Sequence, residues 1–137
     1  MEHVKTYFEQ DKFAKHAGIK ILAVGDGYAK TEMPVQQFHK NATGSIHGGA
    51  LFTLADFTQA VAANSRGQVS VAVNVSITYL KAVSDGTLTA EAHEVSDGKK
   101  LASYRIDIKD TAGDIISVAQ GMVYRKHLSI QGFDLRE

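Results

Sequence analysis

The residues best suited to chemistry lie in one stretch, between Asn41 and Asp56. Its triplet His47-Gly48-Gly49 precedes an apolar helical pattern, so the two glycines can offer backbone N–H groups that have no acceptor inside the helix. The positive end of the helix dipole would stand behind these groups. Donors of this kind suit an oxygen atom that becomes negatively charged during a reaction.

Asp56 is the acid of the predicted helix. At about 100° per residue it lies roughly 140° round the helix from Leu51, beside the apolar face and not within it. An acid there needs a partner or a task, and it can serve as a nucleophile or as a general base. Asn41 can hold a water or the carboxylate, and His47 can orient the loop or add a donor.

Each of these residues also has a purely structural interpretation. Glycines before a helix are usually turn residues, and a lone histidine such as His47 is more often a satisfied structural residue. A helical aspartate is usually solvated or paired with a base. The pattern of residue types therefore has to be judged as a whole.

Helices and strands that would position these residues can be read from periodicity. Apolar or neutral residues predict a helix from about 48 to 64, because they recur at Leu51, Leu54, Ala55, Thr58, Val61 and Ala62. A single N-terminal helix is predicted within residues 1–18, with Gly18 as its stop signal. Residues 19–24 and 28–35 predict a hairpin joined by Gly25-Asp26-Gly27.

The second half of the chain alternates with the period of β-strands. Apolar residues at every second position from Val69 to Tyr79 predict one long strand with one buried face. Three more strands are predicted near residues 87–95, 101–109 and 115–124. The short, turn-rich connections predict that these four strands are sequential antiparallel neighbours. A polar, loosely held tail is expected over residues 126–137.

Composition limits the possible functions. The 137 residues fit a single domain over 1–137, and the absence of cysteine excludes disulfides and thiolate sites. Fifteen basic and fifteen acidic residues cancel, so no global charge attracts nucleic acid or a membrane surface. The remaining histidines show no metal-ligand spacing, which predicts no metal. Neither a signal peptide nor a membrane-spanning segment is predicted, so a cytoplasmic location is expected.

Two strands, one long helix and four strands predict an α+β domain with a mostly antiparallel sheet. Such a sheet shields one helix by curving round it, which is the hotdog fold. Asn41, His47-Gly48-Gly49, Leu54-Ala55-Asp56 and Ile77-Thr78-Tyr79 together resemble the hotdog acyl-CoA thioesterases of the phenylacetyl-CoA (PaaI-like) type. The resemblance covers roughly residues 10–125. It implies an acyl-CoA thioesterase without a metal or redox cofactor.

The resemblance implies roles for the residues that match the family pattern. Gly48 would polarise the thioester carbonyl, Asp56 would act as nucleophile or general base, and His47 and Asn41 would assist. Some relatives carry a hydroxyl near the acid, where this chain has Ala60 and Ala72. Ser70 and Asn74 are expected near Ala72 on the same strand face.

Coenzyme A binding is expected at two segments, residues 79–81 and 96–101, because the corresponding segments line its path in similar enzymes. Local basic residues and backbone donors suit its phosphates, although a lysine-rich turn is commonly only a solvated edge. The candidates are Gly49, Tyr79, Lys81, Gly98, Lys99 and Lys100.

Two other functions stay open: a hotdog enoyl-CoA hydratase and a non-enzymatic acyl-CoA sensor. Gly48 and Asp56 are eight residues apart, about 12 Å along the helix axis, yet one carbonyl must contact both. The active unit is therefore expected to be a homodimer with shared sites, and a homotetramer, as a dimer of dimers, is expected as well. The acyl group cannot be deduced, because the pocket depends on several strands.

Overall fold

The structure is a computed structural model that describes residues 1–136. One antiparallel sheet has the strand order β1-β2-β4-β5-β6-β3 and packs against the long helix α3. The elements are α1 (Glu2–Phe8), α2 (Lys12–Ala17), β1 (Lys20–Gly25), β2 (Tyr28–Pro34), a 3-10 turn (Gln37–His39), α3 (Gly48–Ala63), β3 (Gln68–Tyr79), β4 (Thr87–Asp97), β5 (Leu101–Lys109) and β6 (Ile115–Ser129). The predicted α+β architecture, a curved antiparallel sheet round one central helix, is confirmed.

The helix α3 forms where the apolar spacing predicted it. The six residues of the predicted apolar face are all buried: Leu51, Leu54, Ala55, Thr58, Val61 and Ala62. They pack on the inner face of the sheet, where side chains such as Leu88 and Ile106 are also fully buried. Burial of this face stabilises the helix more than its intrinsic propensity does. The helical part of the stretch 41–56 is thus packed into the core of the domain.

The N-terminal segment differs from the prediction of one helix. It forms two short helices, α1 and α2, because Asp11 caps the second one with its carboxylate, which accepts the Ala14 N–H at 3.0 Å. A capping aspartate starts a new helix. The predicted stop is confirmed, since Gly18 adopts a left-handed conformation with φ 85°.

The β1–β2 hairpin is confirmed, but the predicted order of the later strands is partly wrong. β4, β5 and β6 are sequential neighbours, whereas β3 pairs with β6 and β4 pairs with β2. The connection 80–86 is long enough to cross to the other half of the sheet. It is fixed on its way by the Val83 carbonyl oxygen, which accepts the Ile46 N–H at 2.7 Å. β3 is consequently an edge strand.

The prediction that β3 has one uniformly buried face is also wrong. A β-bulge between Ala72 and Asn74 inserts Val73 as an extra residue. Because Ala72 pairs with buried Val123 while Asn74 pairs with exposed Met122, the two lie on opposite faces. Ser70 and Ala72 therefore share the helix-facing side, and Asn74 does not.

Over residues 126–136 the predicted tail is largely ordered structure, and residue 137 lies outside the described residues. β6 continues to Ser129, which pairs with Gln68 at the start of β3. The chain then turns, and the Ser129 N–H donates to the Phe133 carbonyl oxygen at 2.8 Å. The prediction failed because polar side chains can point to solvent from a strand while its backbone stays paired, as β6 does with β3. Across residues 1–136, no helix has the length and hydropathy needed to span a membrane.

Candidate active site

Four of the predicted site residues meet in one open cavity of ≈ 440 Å³ beside the N-terminus of α3. Asn41 comes from the preceding loop, Gly48 from the first turn of the helix, and Tyr79 and Lys81 from the end of β3. Leu51 and Ile46 contribute an apolar floor. The sequence therefore brings the loop, the helix and the strand end together as expected.

Gly48 is the central residue of this cavity. It is the first residue of α3, and its N–H has no hydrogen-bond acceptor among residues 1–136. The Tyr79 hydroxyl donates to the Gly48 carbonyl oxygen at 3.0 Å. A side chain at Gly48 would begin 3.0 Å from the Tyr79 phenol. The backbone here thus presents a free donor at a position where an added side chain would crowd Tyr79.

His47 caps the helix through its side chain. Its Nδ1 accepts the Gly49 N–H at 2.8 Å, so the neutral ring carries its proton on Nε2. This contact orients the turn, one of the two roles predicted for His47. It also engages the Gly49 N–H, which leaves Gly48 as the free donor of the pair.

Asn41 holds its own loop in shape. Its side-chain oxygen accepts the backbone N–H groups of Thr43 at 3.0 Å and Ser45 at 3.1 Å, and also the Thr43 hydroxyl at 2.8 Å. The oxygen is therefore saturated. The side-chain NH₂ has no acceptor within residues 1–136 and is the part of Asn41 that can meet a water or a ligand.

Asp56 lies outside this cavity, two turns further along α3. It is half-buried, and its carboxylate has no hydrogen-bond or ion-pair partner within the described residues 1–136. Burial raises the pKa of the Asp56 carboxyl above its ordinary value, and the negative charge of Asp11 raises it further. A partly desolvated carboxylate without a partner is suited to accept a proton or to attack a carbonyl.

Lys81 reaches the cavity, but its ammonium is already paired. Its Nζ lies 3.1 Å from Asp110 and 3.2 Å from Asp114, in the loop between β5 and β6. These acids raise the pKa of Lys81, chiefly through the Asp110 hydrogen bond. A phosphate at this position would have to share the ammonium with two carboxylates.

Gly98, Lys99 and Lys100 form the β4–β5 turn at the opposite end of the sheet. Along β5, from Leu101 to Lys109, the two ends are about 26 Å apart. Within one chain this turn therefore cannot share a ligand's phosphates with the Gly48 cavity. Both lysines are exposed.

The turn is held by Arg125, which sequence reasoning did not single out. The Arg125 guanidinium is 6 % exposed and donates to the Gly98 carbonyl oxygen at 3.1 Å and to Asp97 at 2.6 Å. Its backbone N–H donates to the Lys100 carbonyl oxygen at 2.7 Å. Glu94 joins the cluster, 3.3 Å from Arg125. The lysines thus project from a rigid turn.

Comparison with known proteins identifies the family. The sequence model of the thioesterase superfamily matches residues 43–117, which include the helix α3 and most of the residues that line the cavity. The chain belongs to the thioesterase superfamily. Acyl-coenzyme A thioesterase PaaI of Escherichia coli is 34% identical over 132 residues, which cover 96% of this chain and 94% of that protein. Human acyl-coenzyme A thioesterase 13 is 33% identical, with 93% and 92% covered.

The fold agrees with this membership. The structure of the E. coli PaaI protein superposes with a TM-score of 0.88 at 33% identity, covering 91% of each chain. The predicted hotdog fold and the resemblance to PaaI-like thioesterases are confirmed, and so is the predicted enzyme class, a hydrolase of thioester bonds. The predicted roles of individual residues are a separate question.

This thioesterase also contains buried polar groups that sequence reasoning missed. Within residues 1–136, the unpaired buried side-chain atoms are both polar atoms of Gln59 and the Ser117 hydroxyl. The sequence carried one signal for Gln59, its position one helical turn beyond Asp56. Among the same residues no three His, Asp or Glu side chains cluster as metal ligands; the predicted absence of a metal stays a prediction.

Proposed function

We propose that this thioesterase hydrolyses acyl-CoA to a free acid and coenzyme A at sites shared between two copies of the chain. The observation that carries the proposal is the unpaired Gly48 N–H at the start of α3, combined with the unpaired carboxylate of Asp56 on the same helix. The relatives named as acyl-coenzyme A thioesterases support the substrate class.

In the proposed reaction the thioester carbonyl oxygen binds to the Gly48 N–H. Asp56 either removes a proton from a water that attacks the carbonyl carbon, or attacks it directly before water releases the acid. The negative charge that forms on the oxygen is stabilised by the N–H and the helix dipole. The carbon–sulfur bond then breaks, and the thiolate of coenzyme A takes up a proton.

A shared site follows from distances within one chain. Gly48 and Asp56 are separated by about 12 Å along α3, whereas the donor and the attacking group must both be about 3 Å from the carbonyl. A twofold axis beside the helices can bring Asp56 of one copy to Gly48 of the other. The edge strand β3, with Val71 and Val73 exposed, offers the surface for such a pairing.

Antiparallel pairing of two β3 strands also explains how the two expected coenzyme A segments, far apart in one chain, can serve one binding site. The Gln68 end of one β3 would lie beside the Tyr79 end of the other. The β4–β5 turn adjoins the Gln68 end through Arg125, which pairs with Ser70. Lys99 and Lys100 of one copy would thereby approach the Gly48 cavity of the second copy. A dimer of such dimers is the proposed tetramer.

The decisive test is release of free thiol from a panel of aryl-, short- and long-chain acyl-CoAs by the parent and by Asp56→Asn. Thiol release that depends on Asp56 supports the proposal. Hydration of an enoyl-CoA without thiol release would instead indicate the hydratase. Tight binding of acyl-CoA without turnover would indicate a sensor.

A further inference from the structure

The buried amide of Gln59 has no partner. Its side chain is 0% exposed, and neither Nε2 nor Oε1 has a hydrogen-bond partner within residues 1–136. A buried amide in this state is unfavourable for folding. Its presence therefore calls for a partner that is engaged during function.

The contact with β6 shows that the space is shaped for this amide. Gly121 lies directly against the Gln59 side chain, and a methyl group at Gly121 would overlap Oε1. The neighbouring inward positions on β6, Ala119 and Val123, do carry side chains. The missing side chain at Gly121 is what accommodates an amide at this point.

Gln59 and Asp56 are close neighbours on α3. They are three residues apart, a spacing at which Gln and Asp side chains on a helix can form a hydrogen bond. The two are not bonded in this structure, and each lacks a partner within residues 1–136. Turning the amide away from Gly121 would let Nε2 reach the carboxylate.

We propose that Gln59 is a positioning residue, whose amide donates a hydrogen bond to the Asp56 carboxylate and aims it at the bound thioester. This inference rests on the proposed function, because it assigns a role to Asp56 in hydrolysis. The Gln59 amide would supply a hydrogen bond to the acid, which the side chains of Ala60 and Ala72 cannot form.

A hydrogen-bond donor beside Asp56 would help to keep its carboxyl in the charged form. α3 contains no other acid and no base between Gly48 and Ala63, and among residues 1–136 Asp11 is the charged group whose field acts on Asp56. Burial and Asp11 both favour the protonated form, which cannot act as a base. A hydrogen bond donated to the carboxylate opposes them and favours the charged form.

The test is Gln59→Met, which keeps the length of the side chain and removes the amide. We expect kcat to fall about tenfold with KM nearly unchanged, as for loss of one positioning hydrogen bond. The acid limb of the kcat profile should move up by about one pH unit, because the charged form of Asp56 loses its donor. The melting temperature should stay the same or rise.

Ser117→Ala is the matched control, because it also removes an unpaired buried polar group, four residues from Gly121 on β6. It should leave the acid limb where the parent has it. A Gln59→Met enzyme with the parent's kcat and acid limb would overturn the inference, since a purely structural amide predicts that result.

Two further measurements keep the outcome interpretable. If Gln59→Met does not fold, Gln59→Glu keeps the shape and places a charge near Asp56, so an unchanged acid limb in that variant also refutes the inference. Asp56→Asn is assayed in parallel. Full activity of Asp56→Asn would refute the proposed function itself, whereas an inactive Asp56→Asn with a normal Gln59→Met refutes only the role of Gln59.

Discussion

The Tyr79 hydroxyl donates to the Gly48 carbonyl oxygen at 3.0 Å, and the phenol occupies the space beside the missing side chain of Gly48. The strand end thereby fixes the first turn of α3 while its N–H stays free. This arrangement separates two functions of Gly48, namely close packing and hydrogen-bond donation. The two can be tested with a matched pair of substitutions.

Gly48→Pro and Gly48→Ala both add a Cβ that meets Tyr79, but only proline removes the N–H. Proline is tolerated at the first helical position, and His47 before it has the extended conformation that proline requires, with φ −67° and ψ 138°. We expect kcat of Gly48→Pro to be about 10²- to 10³-fold below that of Gly48→Ala. Equal kcat values in the two variants would show that the N–H does not stabilise the oxyanion.

Asp56→Asn should separate activity from stability. Since the charged form is the proposed base or nucleophile, kcat should fall by about 10²- to 10⁴-fold. The folded-state pKa of Asp56 is raised, so folding binds a proton in the window between the unfolded and folded pKa values, and stability declines as pH rises through it. Asparagine has no titratable carboxyl, so the substitution removes this loss of folding stability. Calorimetry at pH 7 should therefore show a melting temperature equal to or above the parent's; a clear decrease would contradict the assigned burial effect.

Asp11→Asn should shift the pH dependence of hydrolysis. The amide retains the capping of α2 by accepting the Ala14 N–H, while its negative charge is lost. Because that charge raises the pKa of Asp56, its removal should move the acid limb of kcat to lower pH. An unmoved limb would show that the titrating group in catalysis is not Asp56. Asp134→Asn, in the C-terminal segment, is a charge-matched control.

Complementation tests the shared site. An Asp56→Asn chain and a Gly48→Pro chain are each expected to be inactive, but a mixed dimer retains one site with both groups intact. After complete subunit exchange at equal concentrations, about a quarter of the parent activity should return. Exchange is verified by mass spectrometry of differently tagged chains. No recovery after verified exchange would place both groups in one chain.

Coenzyme A affinity should depend on the β4–β5 turn. Lys99→Ala and Lys100→Ala should raise KM more than they lower kcat, and the effect should weaken at high salt. Lys81→Ala should have a smaller effect on KM, because its ammonium is paired with Asp110 and Asp114. Unchanged KM values for both turn variants at low salt would exclude the turn from the binding site.

Periodicity was sufficient to predict α3 and the existence of the six strands, but not the pairing of all the strands. The apolar spacing of α3 depends only on local sequence, so its bounds agree with the prediction to within a residue. The pairing of β3 with β6 involves positions far apart in the chain, and no local pattern encodes it. The extra residue Val73 is equally hidden, because a bulge leaves the alternation of residue types unchanged.

The same distinction applies to the site. The positions of Gly48 and Asp56 follow from one helix and were predictable from spacing. The ion pairs of Lys81 and the unpaired amide of Gln59 depend on long-range packing. Arg125 resembled an ordinary charged residue near a polar tail, although burial and four acceptors make it the anchor of the turn.

The exposed edge of β3 has a consequence for the newly made chain. Before the proposed pairing with a second copy, β3 displays unpaired backbone groups flanked by Val71 and Val73, a surface that can also pair with unrelated strands. In the proposed dimer, correct assembly and aggregation therefore compete for the same hydrogen bonds. Substitutions that weaken self-association should lower the yield of soluble protein during expression before any defect appears in purified material.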